Sequence, residues 1–293
     1  MTGSGASVRE LAEASSVARH EVIAQVLKEA QPYIDALRDH TLVIKLGGST
    51  LENQRDALED IVWLRGLGAR PVLVHGGGAE INEWLAKLGL PSRFERGLRV
   101  TDAATLDVVR MVLVGKVNGE LVRLLGELGG HAVGLSGLDG PLLRARRIAP
   151  ELGYVGAVTT VFPGPIDTLS AAGFIPVIAP LALGEDDAIL NVNADDAAAD
   201  LARGLGATKL LYLSDVPGIL DGNARLLSTL TDRQVRDLIA DGTIAGGMIP
   251  KAEACLRALE TTARVHIVDG REPHVLIREL LTHEGAGTMI ERA

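Results

Sequence analysis

Two glycine-rich turns, each directly after a short apolar run, are the segments of this chain best suited to binding an anion. The first run, 41–45, ends at Lys45 and leads through Leu46 into Gly47 and Gly48. The second run, 71–75, leads into Gly76, Gly77 and Gly78. Backbone N–H groups at a strand-to-helix turn can converge on a phosphate or carboxylate. Lys45 either holds its ammonium group over the first turn or extends it past the strand end into solvent.

A third cluster, Asn-Val-Asn-Ala-Asp at 191–195, precedes an apolar helical pattern. Asn193 suits the N-cap of that helix, where an amide oxygen accepts an N–H and nearby acids favour the helix dipole. This capping role does not account for Asn191 or for the position of Asp195. Both residues are therefore candidates for a functional site.

A fourth cluster surrounds Lys251. Pro250 suits the first turn of a helix, which puts Lys251 beside the positive end of the helix dipole. A cation there indicates a nearby anion, although a solvated surface lysine is the alternative. A fifth cluster, 214–220, follows an apolar run at 209–213 and is either an ordinary turn or part of the crevice that ligands occupy at strand ends.

Composition excludes several classes of protein. Of the 293 residues 47% are hydrophobic, which supports a substantial core, and the net charge of −9 argues against general nucleic-acid binding. Cys255 is the only cysteine, so no disulfide forms within the chain, and its apolar surroundings predict a core thiol. The N-terminus lacks a signal-peptide pattern, and the longest apolar stretch is too short to span a bilayer. We therefore expect a cytoplasmic protein without membrane or nucleic-acid partners.

The sequence lacks the commonest nucleotide-binding signatures. Neither the P-loop pattern GxxxxGK[ST] nor a GxGxxG turn after a strand occurs in the sequence. No two histidines have the spacing of metal ligands, so we predict no protein-held metal site.

The elements that must position these clusters alternate between strands and helices. We predict strands at 41–46, 71–75, 132–135, 174–179 and 209–213, a hairpin within 142–162, and helices at 53–68, 79–88, 102–128, 166–172, 194–205, 231–241, 249–262 and 272–282. The strands are apolar throughout, which indicates an α/β fold whose open, mostly parallel sheet lies between helix layers. An N-terminal helical arm occupies 1–40, with loose residues at 1–16. Two lobes follow, at 41–203 and 204–293.

In their order along the chain, these clusters resemble the amino acid kinase family. The resemblance rests on six stretches and runs from about Tyr33 to the C-terminus. They are Val-Ile-Lys-Leu-Gly-Gly (43–48), Val-His-Gly-Gly-Gly (74–78), Gly-Leu-Arg-Val-Thr-Asp (97–102), Asn-Val-Asn-Ala-Asp (191–195), Ser-Asp-Val-Pro-Gly-Ile (214–219) and Gly-Met-Ile-Pro-Lys (247–251). Residues 97–102 and 111–118 point to members that phosphorylate N-acetyl-L-glutamate in arginine biosynthesis.

The resemblance implies a role for each cluster. Lys45 and Lys251 flank the transferring phosphoryl group, and Asp195 holds both ammonium groups. Phosphoryl oxygens bind at Gly47, Gly48 and Gly76. The acyl amino acid binds at Gly77, Gly78, Arg99 and Asn191. ATP binds in the C-terminal lobe, at Asp215, Val216, Gly218, Ile219, Leu220, Gly247 and Met248.

The implied reaction needs positioning and charge neutralisation more than acid–base chemistry. A γ-carboxylate is already ionised near neutral pH, so no general base is required. The work left to the protein is to hold two anions together and to stabilise the charge of the transfer. Mg²⁺ is expected to be bound mainly through the nucleotide phosphates and water.

The N-terminal arm implies regulation and assembly. In arginine-inhibited relatives such a helix joins dimers into a hexamer, a trimer of dimers, and borders an L-arginine site. The resemblance places that site at Tyr33, Lys209, His266, Glu284 and Gly287. Some relatives also bind a PII-type regulator. Two alternatives remain: a sister kinase acting on an aminoadipate-type substrate, and a catalytically inactive scaffold that senses ligands.

Overall fold

The computed structural model describes residues 8–47 and 55–293, with the main chain alone for 8–19. The strands are β1 (Thr41–Leu46), β2 (Arg70–His75), β3 (Phe94–Glu95), β4 (Leu98–Arg99), β5 (Ala132–Ser136), β6 (Leu143–Arg147), β7 (Val155–Val161), β8 (Ile175–Ala179), β9 (Leu181–Gly184), β10 (Ile189–Val192), β11 (Lys209–Ser214), β12 (Thr229–Thr231), β13 (Arg264–Asp269) and β14 (Thr288–Glu291). The α-helices are α1 (Val8–Leu37), α2 (Arg55–Gly66), α3 (Gly78–Lys87), α4 (Ala103–Arg110), α5 (Gly119–Glu127), α6 (Gly164–Ala171), α7 (Ala194–Gly204), α8 (Asp232–Ala240), α9 (Met248–Ala258) and α10 (Val275–Leu281). A π-helical segment (Met111–Asn118) and a short 3₁₀ turn (Pro150–Leu152) complete the described elements.

The central sheet confirms the predicted α/β class. Within the described residues its strand order is β12-β14-β13-β11-β1-β2-β8-β5. Pairing is parallel from β13 through β11, β1, β2 and β8 to β5, whereas β14 runs antiparallel to β13. The carboxyl ends of β1, β2 and β11 therefore meet at one edge, where the glycine turns and the 214–220 loop begin.

Side chains alternate between two core layers, which explains the continuously apolar strands. From β1, Val43 enters one layer, together with Tyr212 and the buried alanines of α7 and α9. Leu42 and Ile44 enter the other layer, which α2, α5 and α10 cover. Both faces of β1 are thus buried, and Lys45 lies on the same face as Val43.

A small closed barrel was not predicted. It consists of β10, β7, β6 and β9, and only the β6–β7 hairpin was expected, within 142–162. Pro180 separates β8 from β9, so the longest apolar stretch of the sequence, 174–183, becomes strands of two different sheets. The barrel supplies β10, which carries Asn191 to the site.

Several helices and strands differ from expectation. Helix α1 begins at Val8, so residues 8–16 are helical rather than loose, as their Ala, Leu and Glu content favours. The predicted helix 102–128 is divided by the π-helical segment, and its N-cap is Asp102, which accepts the Thr105 N–H at 2.8 Å. Strand β13 was not predicted, because Arg264 and His266 interrupt its apolar pattern. The short strands β3, β4, β12 and β14 were not predicted either. In the part of the chain that the structure describes, no helix is both long and apolar enough to cross a membrane.

Candidate active site

The site is organised around an aspartate bound by two lysines. Lys45 lies near the end of β1, Asp195 in the first turn of α7, and Lys251 in the first turn of α9. The Lys45 and Lys251 ammonium nitrogens each lie 2.7 Å from a different carboxylate oxygen of Asp195. Their side chains are 11% and 12% exposed, and that of Asp195 is 21% exposed. The structure thus brings together three residues that are far apart in sequence.

Burial and mutual charge set the ionisation of this trio. Burial alone raises the pKa of the Asp195 carboxyl, but the ammonium groups of Lys45 and Lys251 outweigh it, and the pKa falls below its ordinary value. Burial lowers the pKa of Lys45, the charge of Lys251 lowers it further, and Asp195 opposes both effects. Asp195 is therefore the group that favours the charged form of Lys45 beside the ammonium group of Lys251.

The start of α7 explains why Asp195 points into the site. Asn193 is the N-cap, and its side-chain oxygen accepts the N–H groups of Asp195 at 2.8 Å and Asp196 at 3.2 Å. The capping interpretation of Asn193 is correct, and it leaves the Asp195 carboxylate free for the lysines. Asp196 instead pairs with Arg257 of α9, which ties the two helices together.

Gly47 leaves the space in which the Lys45 ammonium lies. A Cβ atom at Gly47 would be 2.1 Å from the Lys45 Nζ and 3.0 Å from its Cε. Any side chain there would displace the lysine head from Asp195. Gly48, the other predicted phosphoryl-binding residue of this turn, lies outside the described residues.

The second glycine turn is held from below by a buried histidine. The His75 Nδ1 lies 2.8 Å from the Gly76 carbonyl oxygen, so this nitrogen carries the proton and donates it. Its Nε2 accepts from the Asn118 amide at 3.1 Å, and that amide also donates to the Val177 carbonyl at 2.9 Å. Burial lowers the pKa of His75 to about 4, so the ring is neutral near pH 7. The fixed Gly76 carbonyl sets the orientation of the next peptide, whose N–H belongs to Gly77.

Arg99 is a buried cation whose hydrogen-bond partners are all neutral. Its guanidinium donates to Asn82 Oδ1 and Ser92 Oγ, each at 2.8 Å, and to the Gly78 carbonyl at 3.2 Å. It also stacks on the Phe94 ring, 4.7 Å from the centroid. The residue is 7% exposed, and no carboxylate of residues 20–47 or 55–293 lies within 4.0 Å of it. Burial lowers the pKa of Arg99, and a buried, uncompensated cation of this kind indicates an anionic ligand.

One cavity of about 210 Å³ gathers the predicted substrate residues. Its walls include Arg99 and Asn191, and its floor is formed by the second glycine turn. Asn193 and Ala194 also line it, and Ala194 directly precedes Asp195, the residue that pairs with the two lysines. The remaining lining is largely apolar, with side chains such as Ile81, Leu98, Leu113 and Val155.

The predicted nucleotide residues lie in the loop after β11 and at the start of α9. Asp215 is exposed and close enough to Lys45 to raise the pKa of its ammonium group. Val216 and Met248 pack against the core layer that contains Tyr212 and the alanines of α7 and α9, and Leu220 is half-buried. Gly247 is the exposed N-cap of α9.

Two residues of this loop have structural contacts. The Ile219 N–H donates to Thr288 Oγ1 at 2.8 Å, and the Ile219 side chain is buried. Gly218 has a φ of 144°, and a Cβ there would lie 2.5 Å from the same hydroxyl oxygen. These contacts with β14 fix the path of the loop at the carboxyl edge of the sheet.

A second cavity, of about 280 Å³, contains all five residues predicted for an L-arginine site. Tyr33 comes from α1, Lys209 from β11 and His266 from β13. Glu284 and Gly287 come from the segment between α10 and β14. Arg264 and Glu279 line the same cavity and were not predicted.

Glu279 is the most informative of the residues that sequence reasoning missed here. Its carboxylate accepts from His266 Nδ1 at 2.6 Å and from the Gly287 N–H at 3.0 Å. These hydrogen bonds hold the pKa of Glu279 below its ordinary value, against the effect of burial. On the other side of the ring, Lys209 donates to His266 Nε2 at 3.4 Å, and burial lowers the pKa of Lys209 to about 8. The only sequence signal was an acid within an apolar helix.

A group of potential metal ligands lies between α2 and α10. Asp56, Glu59 and His274 bring one ligand atom each within 4.8 Å of one another. The His274 Nδ1 lies 2.8 Å from the buried carboxylate of Asp60. That ion pair accounts for the position of the ring, and we assign no metal to the group.

Comparison with known proteins defines the class. The model of the amino acid kinase family matches residues 40–269, so the chain belongs to this family. It is 49% identical over 275 residues to an acetylglutamate kinase from Synechococcus sp. (strain JA-2-3B'a(2-13)), with 91% of this chain and 88% of that protein covered.

Solved structures agree with the fold. N-acetylglutamate synthase from Neisseria gonorrhoeae, complexed with coenzyme A and N-acetyl-glutamate, has a TM-score of 0.82 at 28% identity. This comparison covers 92% of this chain but only 63% of the synthase chain. A complex of the same synthase with coenzyme A and L-arginine has a TM-score of 0.79 at 27% identity. That comparison covers 92% of this chain and 65% of the synthase chain. Carbamate kinase from Giardia lamblia bound to AMP-PNP shares the fold. It has a TM-score of 0.63 at 16% identity, and the comparison covers 87% of this chain and 99% of that one.

Proposed function

We propose that the chain transfers the γ-phosphoryl group of ATP to the γ-carboxylate of N-acetyl-L-glutamate, giving N-acetyl-L-glutamyl 5-phosphate. The observation that carries the proposal is the Asp195-bound lysine pair at the end of a cavity that holds the buried, uncompensated Arg99. The names of the similar kinases support the substrate.

The geometry suits a transfer between two anions. Arg99 and Asn191 bind the carboxylate groups of the acyl amino acid, and Gly77 and Gly78 approach it with their backbone. Lys45 and Lys251 neutralise the charge that otherwise keeps the phosphoryl group and the carboxylate apart. Gly47 and Gly48 donate N–H groups to phosphoryl oxygens. The Gly76 N–H already donates to the Leu46 carbonyl oxygen at 3.1 Å, so the expected phosphoryl contact of Gly76 is not made by this group. None of these steps needs a proton transfer.

We assign the two substrates to the two lobes. Residues 41–203 bind the acyl amino acid. Residues 204–293 bind ATP, at the loop after β11 and the start of α9. Each carboxylate oxygen of Asp195 already pairs with an ammonium group, which disfavours Mg²⁺ as a further partner. The ion, which supplies charge neutralisation at the phosphates, is therefore held mainly by the nucleotide and water.

An ADP-release assay tests this function. Purified chain with ATP and Mg²⁺ should release ADP only when N-acetyl-L-glutamate is added, and hydroxylamine should trap the acyl phosphate as a hydroxamate. Faster turnover of an aminoadipate-type substrate would favour the sister-kinase alternative. An ADP release that is independent of any acyl amino acid would contradict the proposal.

We propose further that L-arginine inhibits the enzyme from the second cavity. The carboxylates of Glu279 and Glu284 suit a guanidinium or α-ammonium group, and Lys209 and Arg264 suit a carboxylate. Activity measured against arginine concentration should fall in the wild type and stay constant in a Glu284→Gln variant. A flat response of the wild type up to millimolar arginine would end this proposal.

We also propose a cytoplasmic homo-oligomer, with a dimer as its unit and a hexamer as its full assembly. The described part of α1 exposes Val22, Ile23, Val26 and Leu27, which are 47% to 61% accessible in the single chain. Contiguous apolar side chains of this kind favour burial in an interface. Light scattering measures the mass, and a PII-type regulator, if used, would add to it on mixing.

A further inference from the structure

Tyr212 is a fully buried aromatic residue on β11, directly beside the site. It is paired in register with Lys45 of the neighbouring strand β1, so the two side chains lie on the same face of the sheet. Its exposure is 0%, and it belongs to the core layer that α7 and α9 cover. Nothing in the sequence distinguished it from an ordinary core residue.

The Tyr212 side chain contacts two members of the lysine–aspartate trio. The Lys251 Nζ lies over the aromatic ring, 5.0 Å from its centroid. The phenol hydroxyl donates to the Asp195 carbonyl oxygen at 3.0 Å. Burial raises the pKa of the phenol well above its ordinary value, so the hydroxyl remains a neutral donor across the working pH range.

These contacts fix atoms that would otherwise be mobile. A lysine side chain has four rotatable bonds and loses much rotamer freedom when its head is fixed. An aromatic face attracts the ammonium group more strongly when both are shielded from water, as here. The second contact holds the main chain of Asp195 at the first turn of α7. One side chain therefore restrains both partners of the 2.7 Å Lys251–Asp195 ion pair.

We propose that Tyr212 is a positioning residue for phosphoryl transfer: its ring holds the Lys251 ammonium and its hydroxyl holds the Asp195 backbone. The proposal rests on the proposed function for its kinetic consequence alone, because the contact itself can be measured without turnover. Tyr212 touches neither substrate and acts through Lys251 and Asp195.

Two variants separate the ring from the hydroxyl. Tyr212→Leu removes both contacts, and we expect kcat to fall about 10- to 30-fold, the change that corresponds to a desolvated cation–π contact. Tyr212→Phe keeps the ring, and we expect about a threefold loss from one neutral hydrogen bond. In both variants the KM for N-acetyl-L-glutamate should stay within about twofold of the wild-type value, because the Arg99 cavity is unchanged.

A destabilised control separates positioning from mere packing. Leu210→Ala opens a cavity in the same core layer, two residues earlier on β11, without touching the trio. All variants are assayed at a temperature where circular dichroism shows them folded. A Leu210→Ala kcat near the wild-type value, beside a reduced Tyr212→Leu kcat, supports positioning. An equal loss of kcat in both, or a Tyr212→Leu variant with normal kcat, would overturn it.

Proton NMR of the lysine side chains supplies the readout that is independent of activity. Methylene protons above an aromatic face are shifted upfield, so the Lys251 Hε signals, assigned with a Lys251→Met variant, should lie upfield in the wild type. They should return to the ordinary lysine position in Tyr212→Leu and stay upfield in Tyr212→Phe. Ordinary Lys251 signals in the wild type would refute the proposal even if the kinase activity is found. Shifted signals in a chain without that activity would refute the proposed function alone.

Discussion

Replacing Lys251 by methionine tests the assignment of the lysine pair most directly. Methionine keeps much of the side-chain length and volume but removes the charge and the hydrogen bond to Asp195. Asp195 retains its 2.7 Å pair with Lys45, so the fold should survive. The substitution therefore isolates what one ammonium group does for the reaction.

The magnitude follows from burial and distance. The Lys251 side chain is 12% exposed, so solvent screens its charge only weakly. A unit charge about 4 Å from the transferring group contributes about 4 kcal/mol at an effective dielectric constant near 20. Loss of one preorganised donor typically lowers kcat by ~10²–10³, or ~3–4 kcal/mol. The two estimates agree, so we expect a loss of kcat in that range.

The assay measures ADP release against N-acetyl-L-glutamate and ATP concentrations. We expect kcat to collapse while the KM for N-acetyl-L-glutamate changes less than about twofold, because Arg99 is untouched. Lys87→Met is the matched control, since Lys87 pairs with Glu83 on an exposed helix face. A Lys251→Met enzyme with near-normal kcat, beside an equally active control, would refute the role given to Lys251.

Four further predictions concern neighbouring residues. Arg99→Ala should raise the KM for N-acetyl-L-glutamate about 30- to 150-fold, the equivalent of ~2–3 kcal/mol for a charge-assisted contact, with a smaller change in kcat; an unchanged KM would contradict the carboxylate-binding role. Because burial lowers the pKa of Lys45, the ammonium deprotonates below the ordinary lysine value of 10.5, so kcat should decline on the alkaline side at a pH below 10.5. Asp195→Asn should move that decline to lower pH, since Asp195 raises the Lys45 pKa, and a pH profile of kcat checks both statements. Gly47→Ala should lower kcat at least ~10-fold with little change in the melting temperature, because the new Cβ displaces only the flexible Lys45 head. Gly66→Ala, with open space around it at the end of α2, should leave kcat unchanged.

Much of the fold was predictable because the parallel core leaves a strong signal. Strands such as β1 and β2 are apolar on both faces, and each ends at a glycine turn that begins a new segment. The missed strand β13 had the opposite property. Its buried His266 is compensated by Glu279, a residue on α10, so the polarity of β13 could not be interpreted without its tertiary partner.

The position of the candidate site was predictable where the sequence contains a residue that local structure does not explain. Lys251 places a cation at the positive end of a helix dipole, which is locally unfavourable. Asp195 follows an N-cap that Asn193 already supplies, so helix capping does not explain it. Residues that local rules do not explain concentrate at functional sites. Tyr212 violates nothing. An apolar strand with one tyrosine is ordinary, and only the packing of α7 and α9 over β11 places an ammonium group above its ring.

The same contrast explains why the two cavities differ in how far sequence reasoning can go. The Arg99 cavity is bordered by residues at strand ends and turns, whose positions follow from the parallel topology. The hydrogen-bonded chain Lys209–His266–Glu279 instead runs from the sheet to α10. The pKa of each of these groups depends on its burial and on the charges beside it. Burial lowers the pKa of Lys209 to about 8, and the charge of Arg264 lowers it in the same direction. Such a network has no local sequence rule: the family resemblance predicted five residues of this cavity, whereas Arg264 and Glu279 became apparent only in the folded structure.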